Sequence, residues 1–259
     1  MWNPNLYRHY ADERARPFLD LTARIGAERP GHVVDLGCGP GEMTAALARR
    51  WPDADVLGID NSAEMVAAAG RTLAEQEPGL RLRFAAGDVR TWQPERAPDV
   101  IVCNAVLQWV PGHQDLLARW AGWLAPGGWL ALQVPANDDE PSYRLLRELI
   151  AGPRWRPLLA GVDLAGQRAD PVGYLDLLAG AGCEVDAWET TYVHVLSGED
   201  PVLRWYRSTG LRPVLAALDT ESGERFLAEY GRALRAAYPA RSYGTPLRFR
   251  RVFAVARRR

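Results

Sequence analysis

One short stretch of the chain, HVVDLGCGPGEMTAALARR, limits the possible folds more than any other part. Its apolar run from His32 to Leu36 predicts a buried strand, and the residues from about Gly41 to Arg50 predict a helix. The loop between them has glycines at positions 37, 39 and 41. Such a loop lets a ligand approach the main chain, and the helix N-terminus adds exposed N–H groups.

The alternation of strand and helix continues beyond this stretch. The runs DVLGID, LRLRFAAGD, DVIVCNA and WLALQVP predict further strands, and AEMVAAAGRTLAEQ and QDLLARWAGWL predict helices. A helix, a glycine turn and a strand follow in GYLDLLAGAGCEVDAWETTYVHVL, and LRFRRVFAVARR predicts a last strand. The pattern therefore predicts an α/β fold with a Rossmann-like, doubly wound, mainly parallel seven-stranded sheet.

The second half of the chain interrupts this alternation twice. Residues 137–170 are rich in Pro, Gly and Arg, and residues 200–240 are amphipathic and helical with a break expected at Pro213. We interpret both segments as helical lid insertions over the carboxyl edge of the sheet, where open α/β sheets bind ligands. Residues 1–30 are predicted to form an N-terminal helical cap over the cofactor, and residues 31–136 the cofactor-binding core. The lid insertions are residues 137–170 and 200–240. The remaining core helix and strands are residues 171–199 and 241–259.

Charge and composition exclude several classes of protein. A net charge of -1 over 259 residues gives no field that selects nucleic acid or an anionic membrane, and no apolar run is long enough to span one. The N-terminal residues lack the apolar region of a signal peptide, and the three cysteines form no CxxC pair. We therefore expect a cytoplasmic, monomeric protein with no metal site that acts on a small molecule.

Three ligands compete for the glycine loop. A P-loop requires lysine after its last glycine, but Glu42 and Met43 follow Gly41 and the chain has no lysine. A dinucleotide fingerprint places its third glycine three residues after the second, where Glu42 would repel a pyrophosphate. S-adenosylmethionine has no phosphate, and its ammonium group favours a nearby acid. The loop alone leaves this choice open.

Acidic residues at the ends of later strands decide between these ligands. Asp60 ends the second strand and can accept hydrogen bonds from both ribose hydroxyls. Asp88 follows the third strand, where it can accept from an adenine amino group, with the Val89 backbone facing a ring nitrogen. This ordered series resembles the class I S-adenosylmethionine-dependent methyltransferases. The predicted cofactor contacts are Asp35, Gly37, Cys38, Gly39, Asp60, Asn61, Ser62, Met65, Asp88, Val89, Asn104 and Ala105.

Segments outside the cofactor motifs narrow the resemblance. MWNPNLYRHYADERARPFLDL, NAVLQWVPGHQDLL, GPRW, GCEVDAWETTYVHVLSGEDPVLRW, LRPVL and YPAR are similar to the trans-aconitate 2-methyltransferases. That resemblance implies esterification of one carboxylate of trans-aconitate, with S-adenosylhomocysteine as the second product. The run SYGTPLRFRR departs from the acidic-glycine turn and Phe-Pro-Phe-like run expected of the family. Since this run is expected near the acceptor, the acid used can differ.

A carboxylate acceptor sets simple chemical requirements. Its pKa is near 4, so it is already a nucleophile at neutral pH and needs alignment and cationic partners, but no general base. Gln108 and Trp109 follow the fourth strand, and we predict that their side chains line the site of the reacting methyl group. We therefore assign them the catalytic role. The predicted acceptor contacts are Tyr7, Tyr10, Arg14, Arg16, Arg154, Arg207, Arg212 and Arg241.

Two other functions remain open at this stage. The chain can methylate a hydroxyl or amine of another small metabolite or natural product, or it can be a cofactor-binding module without catalysis. Individual residues also have purely structural interpretations: Asp35 can end a strand, the run from Asp60 to Ser62 can cap a helix, and Asp88 can belong to a turn.

Overall fold

The chain folds into two compact units in the computed structural model. The model describes residues 11–162, 164, 170–207 and 210–259. The sheet unit comprises Ala15–Pro135, Ala169–Glu189 and Arg251–Arg259. The helical unit comprises the described residues of 1–14, Ala136–Arg168 and Thr190–Arg250. Each unit has its own buried core.

Seven strands form a single sheet. They are β1 (His32–Leu36), β2 (Asp55–Asp60), β3 (Leu82–Ala86), β4 (Val100–Asn104), β5 (Trp129–Pro135), β6 (Cys183–Leu196) and β7 (Thr245–Arg258). Their order in the sheet is β3-β2-β1-β4-β5-β7-β6. The four pairings among the first five strands (β3–β2, β2–β1, β1–β4 and β4–β5) are parallel. Strand β7 pairs antiparallel with β5. The prediction of a seven-stranded, mainly parallel sheet is confirmed.

Ten α-helices are present in the described residues. They are α1 (Ala11–Ala23), α2 (Glu42–Arg50), α3 (Ala63–Gln76), α4 (Gln114–Trp123), α5 (Pro141–Ala151), α6 (Arg156–Leu159), α7 (Pro171–Gly180), α8 (Pro201–Arg207), α9 (Arg212–Ala216) and α10 (Thr220–Ala237). A short 3₁₀ helix spans Leu107–Trp109. No helix of the described residues is both long and apolar enough to cross a membrane.

The strand register brings the predicted site residues to one edge of the sheet unit. Every residue of β1 is buried, as expected for a central parallel strand covered on both faces. Asp35 of β1 lies opposite Gly58 of β2 and Val102 of β4. Because these strands are parallel, their carboxyl ends meet at the same edge, and the loops after β1, β2 and β4 are neighbours.

One sequence prediction about the helical unit was wrong in detail. Pro213 was expected to interrupt a long helix, but it lies in the first turn of the separate helix α9. Proline is tolerated there because the first N–H groups of a helix have no partner within it. The predicted insertion of residues 137–170 contains helix α5 and the short helix α6.

Aromatic side chains hold the helical unit together. Trp155 and Trp205 are buried, and Trp155 packs edge-on against Phe226 at 5.1 Å between ring centroids. Ser142 Oγ donates a hydrogen bond to the Tyr206 hydroxyl at 2.7 Å, and Tyr230 Oη donates to the Ser142 carbonyl at 3.0 Å. The helical unit therefore has a hydrophobic core of its own. Its role as a lid stays a prediction.

The tight contact at Gly41 predicts a large loss of stability on substitution. Gly41 has φ 85°, and a Cβ there would lie 2.6 Å from the Phe84 ring and 2.8 Å from the Ala69 side chain. We expect Gly41→Ala to lower the free energy of unfolding in urea by about 2–4 kcal/mol, from backbone strain and overlap. Gly70→Ala is the control, because Gly70 lies in α3 with open space around it. That variant should gain about 0.5–1 kcal/mol. Equal losses in both variants would contradict this packing argument.

Candidate active site

The glycine loop is attached to β2 through its main chain. Gly37 N and Cys38 N both donate to the Ile59 carbonyl, at 2.7 and 2.9 Å. A Cβ on Gly37 would lie 2.1 Å from a Val106 methyl, whereas a Cβ on Gly39 would have nothing within 4 Å. Gly37 is therefore required by packing inside the protein, and Gly39 is the glycine whose backbone borders open space.

Asp60 ties this loop to the start of α3. Its Oδ2 accepts from Gly39 N at 2.9 Å and its Oδ1 accepts from Ser62 N at 2.9 Å. Ser62 Oγ in turn caps α3 by accepting from Met65 N at 3.3 Å. The cap is thus Ser62, and Asp60 has a separate bridging role. Each carboxylate oxygen keeps a further lone pair for a ligand hydroxyl.

Asp35 lies beneath the loop as a buried acid. Its Oδ2 accepts from the Thr44 hydroxyl at 2.7 Å. The pKa of the Asp35 carboxyl is raised to about 6, mainly by burial; the hydrogen bond from Thr44 lowers it and the charge of Asp60 raises it within that balance. Near neutral pH the edge of the sheet therefore holds two carboxylates, one buried and one half-buried.

Asp88 is engaged by a neighbouring cation. Both of its carboxylate oxygens accept from the Arg90 side chain, and Oδ1 also accepts from Arg90 N at 2.9 Å. These hydrogen bonds lower the pKa of the Asp88 carboxyl. The Asp88 carbonyl accepts from Thr91 N and Trp92 N, so the residue also belongs to a turn. A contact between Asp88 and an adenine amino group stays a prediction, and it requires Arg90 to share the carboxylate.

The loop after β4 is held in a strained conformation. Ala105 has φ 56°, a left-handed conformation that costs a non-glycine residue about 1–2 kcal/mol. It is fixed on both sides, because its N–H donates to the Gln133 carbonyl at 2.9 Å and its carbonyl accepts from Gln108 Nε2 at 2.7 Å. Trp109, two residues after Leu107, is 44% exposed. Strain of this kind persists only where the surrounding structure imposes it, which is common at functional sites.

Two buried oxygens beside this loop have no hydrogen-bond partner within the described part of the chain. They are Asn104 Oδ1 and Gln108 Oε1. The orientation of the Gln108 amide is fixed, because a carbonyl such as that of Ala105 only accepts and Nε2 must face it. A buried acceptor without a donor is unfavourable by about 1–3 kcal/mol. The pair is therefore suited to a ligand that brings N–H or O–H donors.

A buried His–Tyr pair anchors the far end of the same loop. His113 Nδ1 lies 3.2 Å from the Val110 carbonyl, and Nε2 lies 2.8 Å from the Tyr174 hydroxyl. Because a carbonyl only accepts, Nδ1 carries the proton and Nε2 of the neutral ring accepts from Tyr174. Burial lowers the pKa of His113, which favours this neutral form. His113 is thus occupied by the scaffold, directly before α4.

The remaining predicted cofactor residues lie around these groups. Cys38 and Val89 are buried, Met65 is half-buried, and Asn61 is exposed. Burial raises the pKa of the Cys38 thiol, so Cys38 acts as a packed neutral side chain. All predicted cofactor residues belong to the sheet unit, at the ends of β1 to β4 or in the loops and helix that follow them.

The predicted acceptor residues are more scattered. Tyr7 and Tyr10 lie outside the described residues, and Arg14 belongs to α1. Arg16 is exposed. Arg154 donates to Glu229 within the helical unit and stacks over the Trp155 ring. Arg207, Arg212 and Arg241 are exposed, and no group within the described ranges is ion-paired with them.

Sequence reasoning missed three polar residues of this region. Thr44 is the only hydroxyl residue of α2 and is fully buried against Asp35. Gln133 is a single polar residue inside the apolar strand WLALQVP, and Arg251 lies in the apolar half of β7. The signal that could have identified Gln133 and Arg251 was a polar residue inside an otherwise apolar strand.

Comparison with known proteins assigns the family. A family model described as a methyltransferase domain matches residues 7–186. The trans-aconitate 2-methyltransferase of Streptomyces avermitilis is 53% identical over 258 residues, covering 98% of this chain and 96% of that protein. The enzyme of the same name from Rhodococcus jostii is 49% identical and covers 99% of both chains.

The chain belongs to the trans-aconitate 2-methyltransferase family. The predicted family is thereby confirmed, and the chain is a methyltransferase. The family likeness extends over both the sheet unit and the helical unit, since it covers nearly the whole chain.

Solved structures agree on the fold of this family member. The YcgJ protein from Bacillus subtilis superposes with a TM-score of 0.61 at 17% identity, covering 94% of this chain and 99% of that one. A geranyl diphosphate C-methyltransferase from Streptomyces coelicolor, solved with S-adenosyl-L-homocysteine, has a TM-score of 0.57 at 16% identity, covering 98% of this chain and 82% of that one. The fold is the Rossmann-like fold of such methyltransferases.

The buried acid predicts a stability that depends on pH. The pKa of Asp35 is about 6 in the folded chain, against an ordinary value of 3.8. The folded state thus binds the proton more tightly, so this group opposes folding increasingly as the pH rises from about 4 through 6. Asp35→Asn should therefore stabilise the chain, with a gain about 1–1.5 kcal/mol larger at pH 8 than at pH 5. Urea unfolding at the two pH values measures this.

The control for that measurement is Asp176→Asn, because Asp176 is an exposed residue of α7. Its effect should be small and the same at both pH values. A gain from Asp35→Asn that does not change with pH would show that the buried carboxyl is not the titrating group.

Proposed function

We propose that this chain transfers a methyl group from S-adenosylmethionine to one carboxylate of a small polycarboxylic acid, with trans-aconitate as the first candidate. The observation that carries the proposal is the identity of about 50% with enzymes named trans-aconitate 2-methyltransferase, over nearly the full length of the chain. The acceptor named for those relatives is here extended to this chain. The products are the monomethyl ester and S-adenosylhomocysteine.

The residues of the sheet unit fit the proposed cofactor. Asn104 Oδ1 and Gln108 Oε1 are buried acceptors without donors, which suits the ammonium of the amino-acid tail. The open backbone at Gly39 suits the same tail, and the Asp60 carboxylate has lone pairs for the ribose hydroxyls. S-adenosylmethionine supplies a methyl group on a positively charged sulfur. The chain supplies no phosphate-binding lysine, in keeping with a cofactor that lacks phosphate.

The proposed reaction requires orientation and no proton transfer. A carboxylate acceptor is already ionised at neutral pH, so the protein has to align its oxygen with the methyl group and exclude water. His113 is consistent with this, because the neutral ring is hydrogen-bonded at both nitrogens and is not available as a base. Gln108 and Trp109 are positioned by the strained loop after β4 and are proposed to line the reacting methyl.

Arginines of the helical unit are proposed to bind the other carboxylates of the acceptor. Arginine is suited to this because its planar fork binds a carboxylate with two hydrogen bonds. Among the four candidates, Arg154 is already bonded to Glu229, so Arg207, Arg212 and Arg241 are the better candidates. The N-terminal candidates Tyr7, Tyr10, Arg14 and Arg16 stay part of the same proposal.

The pH profile separates carboxylate methylation from the alternatives. With saturating cofactor and trans-aconitate, we expect a rate that is nearly flat from about pH 6.5 to 8, because the acceptor is ionised throughout this range. Transfer of labelled methyl to a panel of di- and tricarboxylic acids measures it. A rate that rises tenfold per pH unit would indicate a hydroxyl or amine acceptor. Cofactor binding without transfer to any acceptor would leave the non-catalytic alternative.

A substitution at Asp60 tests the cofactor site. Asp60→Ala removes the ribose acceptor and the tie between Gly39 and Ser62. Two charge-assisted hydrogen bonds are worth about 1.5–3 kcal/mol each, so the Kd for S-adenosylhomocysteine should rise at least tenfold by calorimetry.

Ser62→Ala is the matched control for Asp60→Ala. It removes only the cap on Met65 N and should cost about 1 kcal/mol of stability while changing the Kd little. If both variants weaken binding to the same degree, Asp60 acts through the start of α3 and does not contact the ribose.

A further inference from the structure

A buried amide and a buried guanidinium are paired within the sheet unit. Gln133 lies in β5 and is completely buried, and Arg251 of β7 is only 5% exposed. Arg251 Nη1 donates to Gln133 Oε1 at 3.0 Å. Gln133 is opposite Phe253 in the antiparallel ladder, so Arg251, two residues earlier, projects from the same face of the sheet. Two polar side chains therefore share one face of an otherwise apolar pair of strands.

This pairing fixes the direction of the Gln133 amide. A guanidinium only donates, so the oxygen of the amide must face Arg251 and the nitrogen must face away from it. That nitrogen, Nε2, is buried and has no hydrogen-bond partner among the residues that the structure describes. Because Oε1 accepts from a cation, the amide is polarised and its N–H groups become stronger donors. A buried, polarised N–H donor without an acceptor matches an anionic oxygen.

The location of Gln133 points to the edge where ligands bind. Gln133 is opposite Asn104, the last residue of β4, and its carbonyl accepts from Ala105 N. It is therefore level with the start of the strained loop that carries Gln108 and Trp109. Ligands of open α/β sheets bind outside these carboxyl ends.

The sheet order places this pair away from the glycine loop. Gln133 of β5 neighbours the proposed cofactor contact Asn104 on β4, whereas the other proposed cofactor contacts on β1, β2 and β3 are farther across the sheet. Neighbouring strands are about 4.8 Å apart, so β5 lies roughly 10 Å and β7 roughly 14 Å from β1. A ligand carboxylate at this pair is therefore displaced across the sheet from the glycine loop.

We propose that Gln133 and Arg251 form a carboxylate-binding subsite for the methyl acceptor. The proposal rests on the proposed function and names a residue pair that determines acceptor specificity. Gln133 Nε2 donates to a carboxylate oxygen of the acceptor, and Arg251 positions and polarises the amide. Arg251 also lies in the run SYGTPLRFRR, where this chain departs from the sequence expected of its family. The choice of acid is thereby linked to this part of β7.

The test is Gln133→Glu, which keeps the shape of the side chain and its bond to Arg251. The new carboxylate places a negative charge where Nε2 was, so an acceptor carboxylate is repelled. We expect the Kd of trans-aconitate for the protein saturated with S-adenosylhomocysteine to rise at least thirtyfold by calorimetry. The acceptor KM should rise in parallel, while the Kd of S-adenosylhomocysteine itself changes less than threefold.

Two further variants keep the test decisive. Gln76→Glu makes the same change at an exposed residue of α3 and should leave both constants unaltered. Gln133→Leu removes the unpartnered N–H groups without adding charge. It also removes the acceptor of Arg251 Nη1, so it should unfold at a lower temperature than the parent while losing acceptor affinity about tenfold. Circular dichroism on heating checks that each variant is folded.

Each other result counts against the subsite. An unchanged Kd for trans-aconitate in both Gln133 variants would mean that the pair is structural or bonded to a buried water. A rise confined to the Kd of S-adenosylhomocysteine would assign the subsite to the cofactor tail. If the parent protein binds polycarboxylic acids, and the Gln133 variants weaken that binding, but no methyl is transferred, the subsite stands and the proposed function fails. If the parent binds none of these acids, both fail.

Discussion

The carboxylate of Asp60 is the contact on which the candidate site depends. Its two oxygens accept from Gly39 on one side and Ser62 on the other, so one side chain joins the loop after β1 to the first turn of α3. The loop has little else to hold it, because its glycines have no side chains to pack. The two main-chain bonds to Ile59 and this carboxylate together fix where the open backbone lies. Elements far apart in sequence are thereby held ready for one ligand.

Several features that reduce stability are concentrated at the same edge of the sheet. Asp35 is ionisable and buried, Ala105 is in a left-handed conformation, and Asn104 and Gln108 each have a buried oxygen without a donor. None of these features contributes to the folding of the sheet. Their shared location is best explained by binding, since a ligand that brings donors satisfies these acceptors and stabilises the folded chain.

Local patterns in the sequence were sufficient to predict most strands of the sheet. Strands β1, β2, β4 and β5 are short and apolar, and most of their residues are buried as the pattern indicates, whereas β3 at the edge of the sheet has no fully buried residue. The glycine loop and Asp60 are also local, since spacing after a strand is enough to locate them. Pro213 was misjudged because a proline in the first turn of one helix resembles a proline that interrupts another. The pair of Gln133 and Arg251 was missed because 118 residues separate its members. Only the antiparallel register of β5 and β7 brings them together, and no local pattern contains that register.

The position of β7 also has a consequence for synthesis of the chain. β7 follows β6 in sequence but lies between β5 and β6 in the sheet. While a ribosome is still translating the helical unit, β5 has an unpaired edge and β6 has no neighbour to join. Exposed edges of this kind favour pairing with other chains. The edge of β5 is therefore covered only once residues 245–258 have been synthesised.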